Sequence, residues 1–151
     1  SGMTTASLPA LGSAQMPTGS VLQVTSSGYD SSSATVVAQN ANATLITKTL
    51  TVQANSKLLV WFNSHQTNNS GTDVNPDVDI RIDDSIFVGS SNHFFYGVDS
   101  RAVIVLFGMT GALTAGSHTI KVNGSTYGNG STSYNYQNSN GGRLIVQEIA
   151  G

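Results

Sequence analysis

Asp77-Val78-Asp79-Ile80-Arg81-Ile82-Asp83 alternates an ionisable residue with a β-branched one at seven consecutive positions. A period of two belongs to an extended strand with one buried and one wet face, because successive side chains point to opposite sides of a sheet. Outward from this stretch, short β-rich runs recur between turn clusters: Val21 to Thr25, Thr44 to Gln53, Lys57 to Ser64, Ser85 to Val88, Arg101 to Phe107, His118 to Asn123 and Arg143 to Ile149. The separators, such as Asn55-Ser56, Asn69-Ser70-Gly71, Ala115-Gly116 and Asn123-Gly124, supply residues that tolerate positive φ. No segment carries a 3.6-residue period. Short strands at even spacing predict an all-β antiparallel sandwich or barrel.

Three of the runs are apolar on both parities. Leu58, Val60 and Phe62 alternate with Leu59 and Trp61; Val103, Val105 and Phe107 alternate with Ala102, Ile104 and Leu106; Leu144 and Val146 alternate with Ile145 and Ile149. In a two-layer sandwich only one face of each sheet meets the core, so the second apolar face needs another cover. A neighbouring copy of the chain is the expected cover, with loops or an additional strand layer as the alternative.

Composition narrows the function classes. Charged residues make up 9% of the 151 positions, whereas Ser, Thr, Asn and Gly fill 66 of them. Such a chain disfavours long helices. A net charge of −2 provides no field to gather nucleic acid or an anionic membrane surface, and no apolar run is long enough to span a bilayer as a helix. Without cysteine there are no disulfides, thiolate metal sites or cysteine nucleophiles. Residues 1–18 read as a tag scar, Ser1-Gly2-Met3, followed by a linker containing Pro9 and Pro17; the ordered domain is expected over 19–151.

Four segments taken in order carry a resemblance: Gly19-Ser20-Val21-Leu22-Gln23-Val24, Ser56-Lys57-Leu58-Leu59-Val60, Ser117-His118-Thr119-Ile120-Lys121-Val122, and the closing Arg143-Leu144-Ile145-Val146-Gln147-Glu148-Ile149-Ala150-Gly151. As a set they resemble the C-terminal, distal domains of bacteriophage tail fibres of the marine-phage type. The resemblance implies a jelly-roll-like antiparallel β-sandwich, a homotrimer on a threefold axis, an upstream fibre shaft as partner, and a virion, extracellular location. The implied role is attachment to a host cell-surface receptor. The loops over 66–76 and 125–142 match nothing in that family pattern.

Chemistry-bearing residues are sparse. No Gly-x-Ser-x-Gly elbow or paired zinc histidines occur; His65, His93 and His118 are isolated, and Glu148 is the sole Glu. No enzymatic activity and no cofactor are expected. Asp73, Asn75, Asp77 and Asp79 place oxygen side chains at every second residue, so a turn at Pro76 would gather them around a hard cation such as calcium; a solvated turn is the plainer reading. His118 shares a parity with Ile120 and Val122, which fits a hydrogen-bonded histidine beside a core. The 125–142 stretch sets Tyr127, Tyr134 and Tyr136 among Asn129, Asn135 and Asn138. Stiff amphipathic rings among adaptable amides are the mixture recognition loops use, and those six residues are the candidate receptor contacts, with a surface glycan as the expected ligand. Alternatives of another class are a purely structural trimeric knob or decoration of a virion, and a secreted carbohydrate-binding trimeric module.

Overall fold

A computed structural model describes residues 16–28, 35–70, 72–134 and 142–151. Ten strands are formed among the described residues: β1 Val21–Gly28, β2 Thr35–Val37, β3 Ala41–Val52, β4 Lys57–Asn68, β5 Val74–Ile82, β6 Ile86–Asn92, β7 Arg101–Met109, β8 Gly116–Gly128, β9 Thr132–Tyr134 and β10 Arg143–Ile149. All eight expected strands are present, most of them longer at one end. The two additional ones, β2 and β9, are three-residue strands.

Two antiparallel sheets face each other. In the first, β10 lies between β1 and β4, and β7 pairs with the opposite edge of β4; β9 and β2 continue the sheet beyond β10, alongside Gln66 to Asn68. The second runs β3-β8-β5-β6. Most strands adjacent in sequence lie in different sheets, and apart from the β5–β6 hairpin the hydrogen-bond partners are distant along the chain, as in the Greek-key pattern of a jelly roll. The fold is thus the β-sandwich expected.

The core is built from one parity of each strand. Leu58, Val60, Phe62, Ile104, Leu106, Leu144 and Val146 project from the first sheet onto Leu50, Val52, Val78, Ile80, Ile82, Ile120 and Val122 from the second. Leu45 and Ile46 are both buried despite being adjacent, because a bulge between Thr44 and Ile46 shifts the register of β3 against β8 by one residue. The β5–β6 hairpin closes through Asp83 and Asp84, both at positive φ (51° and 60°), with the Ser85 N–H donating to Ile82 O at 3.2 Å. Two successive positive φ values match the right-handed twist of the flanking strands.

Pro76 is not the pivot of a turn. It lies within β5 opposite Thr126 of β8, and its carbonyl accepts the His93 N–H at 3.0 Å. In a strand the N and C=O of one residue point to the same neighbour. The missing Pro76 donor therefore faces the side where regular β6 has already ended at Asn92.

Candidate functional site

The two outer faces of the sandwich differ sharply. On the first sheet, register sets Ile145 beside Trp61 and Trp61 beside Phe107, with Leu59 next to Met109 and Asn63 next to Val105. Phe107 is 71% exposed and Val105 66%; Val24, Val103 and Met109 are also exposed. Trp61, Val105 and Ile145 line a shallow, mostly apolar hollow of about 410 Å³, edged by Asn63, Arg143 and Gln147. Among the described residues no loop or strand layer covers this face. The three two-faced strands thus lie side by side, and their second apolar faces merge into one open patch.

The outer face of the second sheet is polar and concave. Pairing of β5 with β8 places Asn75 beside Tyr127, Asp77 beside Ser125, Asp79 beside Asn123 and Arg81 beside Lys121. On the far side of β8, Asn42 joins Ser125 and Thr44 joins Asn123. A trough of about 480 Å³ runs along these strands, lined by Asn42, Asp77, Asp79, Arg81, Asp84, Asn123, Ser125 and Tyr127. Within it the Asp79 carboxylate accepts from Arg81 Nη2 at 3.2 Å and from Asn123 Nδ2 at 3.0 Å, and Asn123 Oδ1 accepts from the Thr44 hydroxyl at 3.1 Å. Lys121 Nζ pairs with Asp84 at 2.8 Å. Asp77 has no cation beside it, and its carboxyl is pushed above the usual range by burial and by the neighbouring Asp79 charge.

The sequence candidates separate in space. Tyr127 stands 51% exposed at the end of the trough, and Asn129 is exposed just beyond it, its N–H donating to Asp73 O at 3.3 Å. Tyr134 is a correction: it is fully buried and belongs to the core, where its hydroxyl donates to Ser125 O at 2.6 Å and Asp77 O at 3.2 Å. Burial drives its pKa far upward. The cause is β9, which pairs Tyr134 with Gln66 and turns the ring between the sheets. Ser125 to Gly128 likewise belong to β8 and are not loop. Asn135, Tyr136 and Asn138 lie outside the described residues.

The cation reading is corrected as well. Asn75, Asp77 and Asp79 follow one another on the outer face of an extended strand, roughly 6.5 Å apart by strand rise, and no turn wraps them about a common centre. Asp73 instead accepts the Gly97 N–H at 3.3 Å. Among the described residues no group of three His, Cys, Asp or Glu side chains converges. His118 is inward-facing as its parity indicated: Nδ1 lies 2.6 Å from Asp83 Oδ2 and Nε2 is 2.9 Å from Thr114 O. The Thr114 carbonyl, then Asp83, hold its pKa above the usual histidine value. Glu148 is buried too, accepting from Gln23 Nε2 at 2.5 Å and the Gln53 N–H at 2.7 Å. The trough residues Asn42, Arg81, Asn123 and Ser125 were missed. The signal for Arg81, Asn123 and Ser125 was present in parity, since they share the wet faces of β5 and β8 with Asp77 and Tyr127.

No protein-family model and no curated protein matches this sequence. Solved structures do share the fold. A chain of infectious bursal disease virus, Gx strain, superposes with a TM-score of 0.59 at 15% identity over 85% of this chain and 33% of its own. The tumour necrosis factor Eiger of S. frugiperda superposes at 0.56 with 10% identity, over 84% and 92% of the two chains. A VP2 subviral particle of infectious bursal disease virus gives 0.50 at 17% identity, over 85% and 33%. The present chain spans about a third of the viral chains it matches. These likenesses establish the jelly-roll sandwich.

Proposed function

We propose that this chain is a non-enzymatic attachment domain of a virion appendage, of the tail-fibre head type, which assembles as a homotrimer and binds a host cell-surface glycan. The observation that carries the reading is the open apolar face of β1-β10-β4-β7 set back to back with a polar, concave sheet. Ile145, Trp61, Phe107, Leu59, Met109 and Val105 form a continuous patch. Burying each such side chain contributes about 1.5–3 kcal/mol, and soluble monomers seldom leave patches of this kind wet.

Packed around an axis through that patch, three chains turn their β3-β8-β5-β6 sheets to solvent, and three equivalent troughs then gain avidity from weak individual contacts. The tail-fibre resemblance supplies the virion assignment and the shaft as upstream partner. The viral chains with the same sandwich are in keeping with a virion component. Light scattering on the concentrated chain tests the assembly: a species of about 47 kDa, three times 15.7 kDa, is expected, and a 15.7 kDa species overturns it. Fluorescently labelled trimer is expected to decorate host cells. A trimer that leaves cells bare is the purely structural knob instead.

A further inference from the structure

The trough along β5 and β8 is where the ligand chemistry of this molecule is concentrated. We propose that this trough is the receptor site, and that it takes a neutral, hydroxyl-rich oligosaccharide, with the Asp77 carboxylate as principal acceptor and the Tyr127 ring as stacking platform. The inference rests on the attachment reading above and specifies its site and ligand class.

Three features of the geometry lead there. The first is charge accounting. Arg81 is held by Asp79, and Lys121 by Asp84. An anionic sugar would thus find no uncommitted cation in the trough and would meet Asp77 in addition. The second is a surplus of acceptors. Asp77 lines the trough beside Asp79 with no cation paired to it, so its half-buried carboxylate keeps lone pairs for donors that enter the trough. Sugar hydroxyls are such donors, and the adjoining Asn42, Ser125 and Tyr127 side chains can both donate and accept.

The third feature is shape. From Tyr127 to Lys121 the strand covers six residue steps, about 20 Å, longer than a single sugar ring. Tyr127, half exposed beside Asn75, closes one end with an aromatic face against which the C–H side of a pyranose can lie. A lone amine would use Asp77 but leave the amides, the hydroxyls and the length of the trough idle. The sheet position matters too, since side chains on paired strands are held more rigidly than those on a loop.

The test uses the intact chain and the Tyr127→Ala and Asp77→Ala variants on an immobilised array of neutral, acidic and amino-bearing bacterial surface saccharides, with solution mass and circular dichroism recorded for each. The expected result is binding to neutral oligosaccharides, weakened roughly tenfold or more by either substitution, equivalent to about 1.4 kcal/mol, with mass and spectrum unchanged. Should one variant misfold, the other carries the test, because the two side chains lie on different strands. Saccharide binding that survives both substitutions moves the site elsewhere and leaves the attachment reading standing. Preference for acidic or amino sugars overturns the ligand class, and binding to no saccharide overturns the glycan reading itself.

Discussion

Replacing Phe107 with Asp probes the assembly directly, because this side chain is 71% exposed in the single chain and should be dispensable to its fold. The ring stands beside Trp61, which in turn neighbours Ile145, so it lies on the central row of the apolar face. If that face is buried between copies, the substitution removes about 2 kcal/mol of apolar burial per chain, before any penalty for enclosing a carboxylate. Over a threefold assembly this is about 6 kcal/mol, or some four powers of ten in the association constant. Analytical ultracentrifugation at micromolar concentration should then record about 47 kDa for the parent chain and 15.7 kDa for Phe107→Asp. The circular dichroism spectra of the two should superimpose. An unaltered assembly mass in Phe107→Asp would show that this face is not the contact, and the reasoning from sheet parity would fail with it.

Three other outcomes follow from the interior. The His118 pKa is raised and that of Asp83 lowered, the latter chiefly by the Thr119 N–H and then by His118. The histidine's contribution is complete below its ordinary value of 6.5 and fades as pH rises through its folded value, while that of the aspartate fades as pH falls below its ordinary 3.8. Thermal melts should therefore show a higher Tm near pH 5.5 than near pH 8, and His118→Gln should remove that part of the difference. Tyr134→Phe deletes a hydroxyl with two carbonyl acceptors and should cost about 1–2 kcal/mol in urea unfolding while leaving saccharide binding intact. Glu148→Ala removes the buried carboxylate that accepts from the Gln53 N–H and the Gln23 amide, the latter keeping its bond to Thr51 O, and a loss of about 1–2 kcal/mol in the same assay is expected.

Local pattern made the eight longer strands legible, because each carries a β-rich run of four or more residues bounded by turn residues. Thr35–Val37 and Thr132–Tyr134 were not, since a three-residue strand shows no period and exists here only by pairing with its partner and with the far end of β4. Tyr134 was misplaced for the same reason. Amid Ser, Asn and Gly its ring looks like a surface anchor, and only the long-range pairing to Gln66 directs it inward. Pro76 was misread because proline is normally excluded from interior strands; that its donor-less nitrogen faces the end of regular β6, where only its carbonyl is used, by the His93 N–H, is a tertiary fact. The trough escaped notice because it is a product of register. Alternation identifies Asp77, Asn123 and Ser125 as wet, but which of them become neighbours across three strands depends on the long-range register of β8 against β5 and on the β3 bulge.

The chain enters and leaves the sandwich at the same place: the Gly19 N–H donates to Ala150 O at 2.9 Å, and the Ala150 N–H to Ser20 O at 2.8 Å. Tyr127 sits at the other extreme of the long strands, since β8 begins opposite Val52 near that doorway and ends with Gly128 opposite Val74. A tether joined through either end would hang from the opposite pole to the tyrosine. Such a layout would let a rod-like carrier present the aromatic pole without obstructing it, and a reporter fused at residue 151 would sit away from that pole.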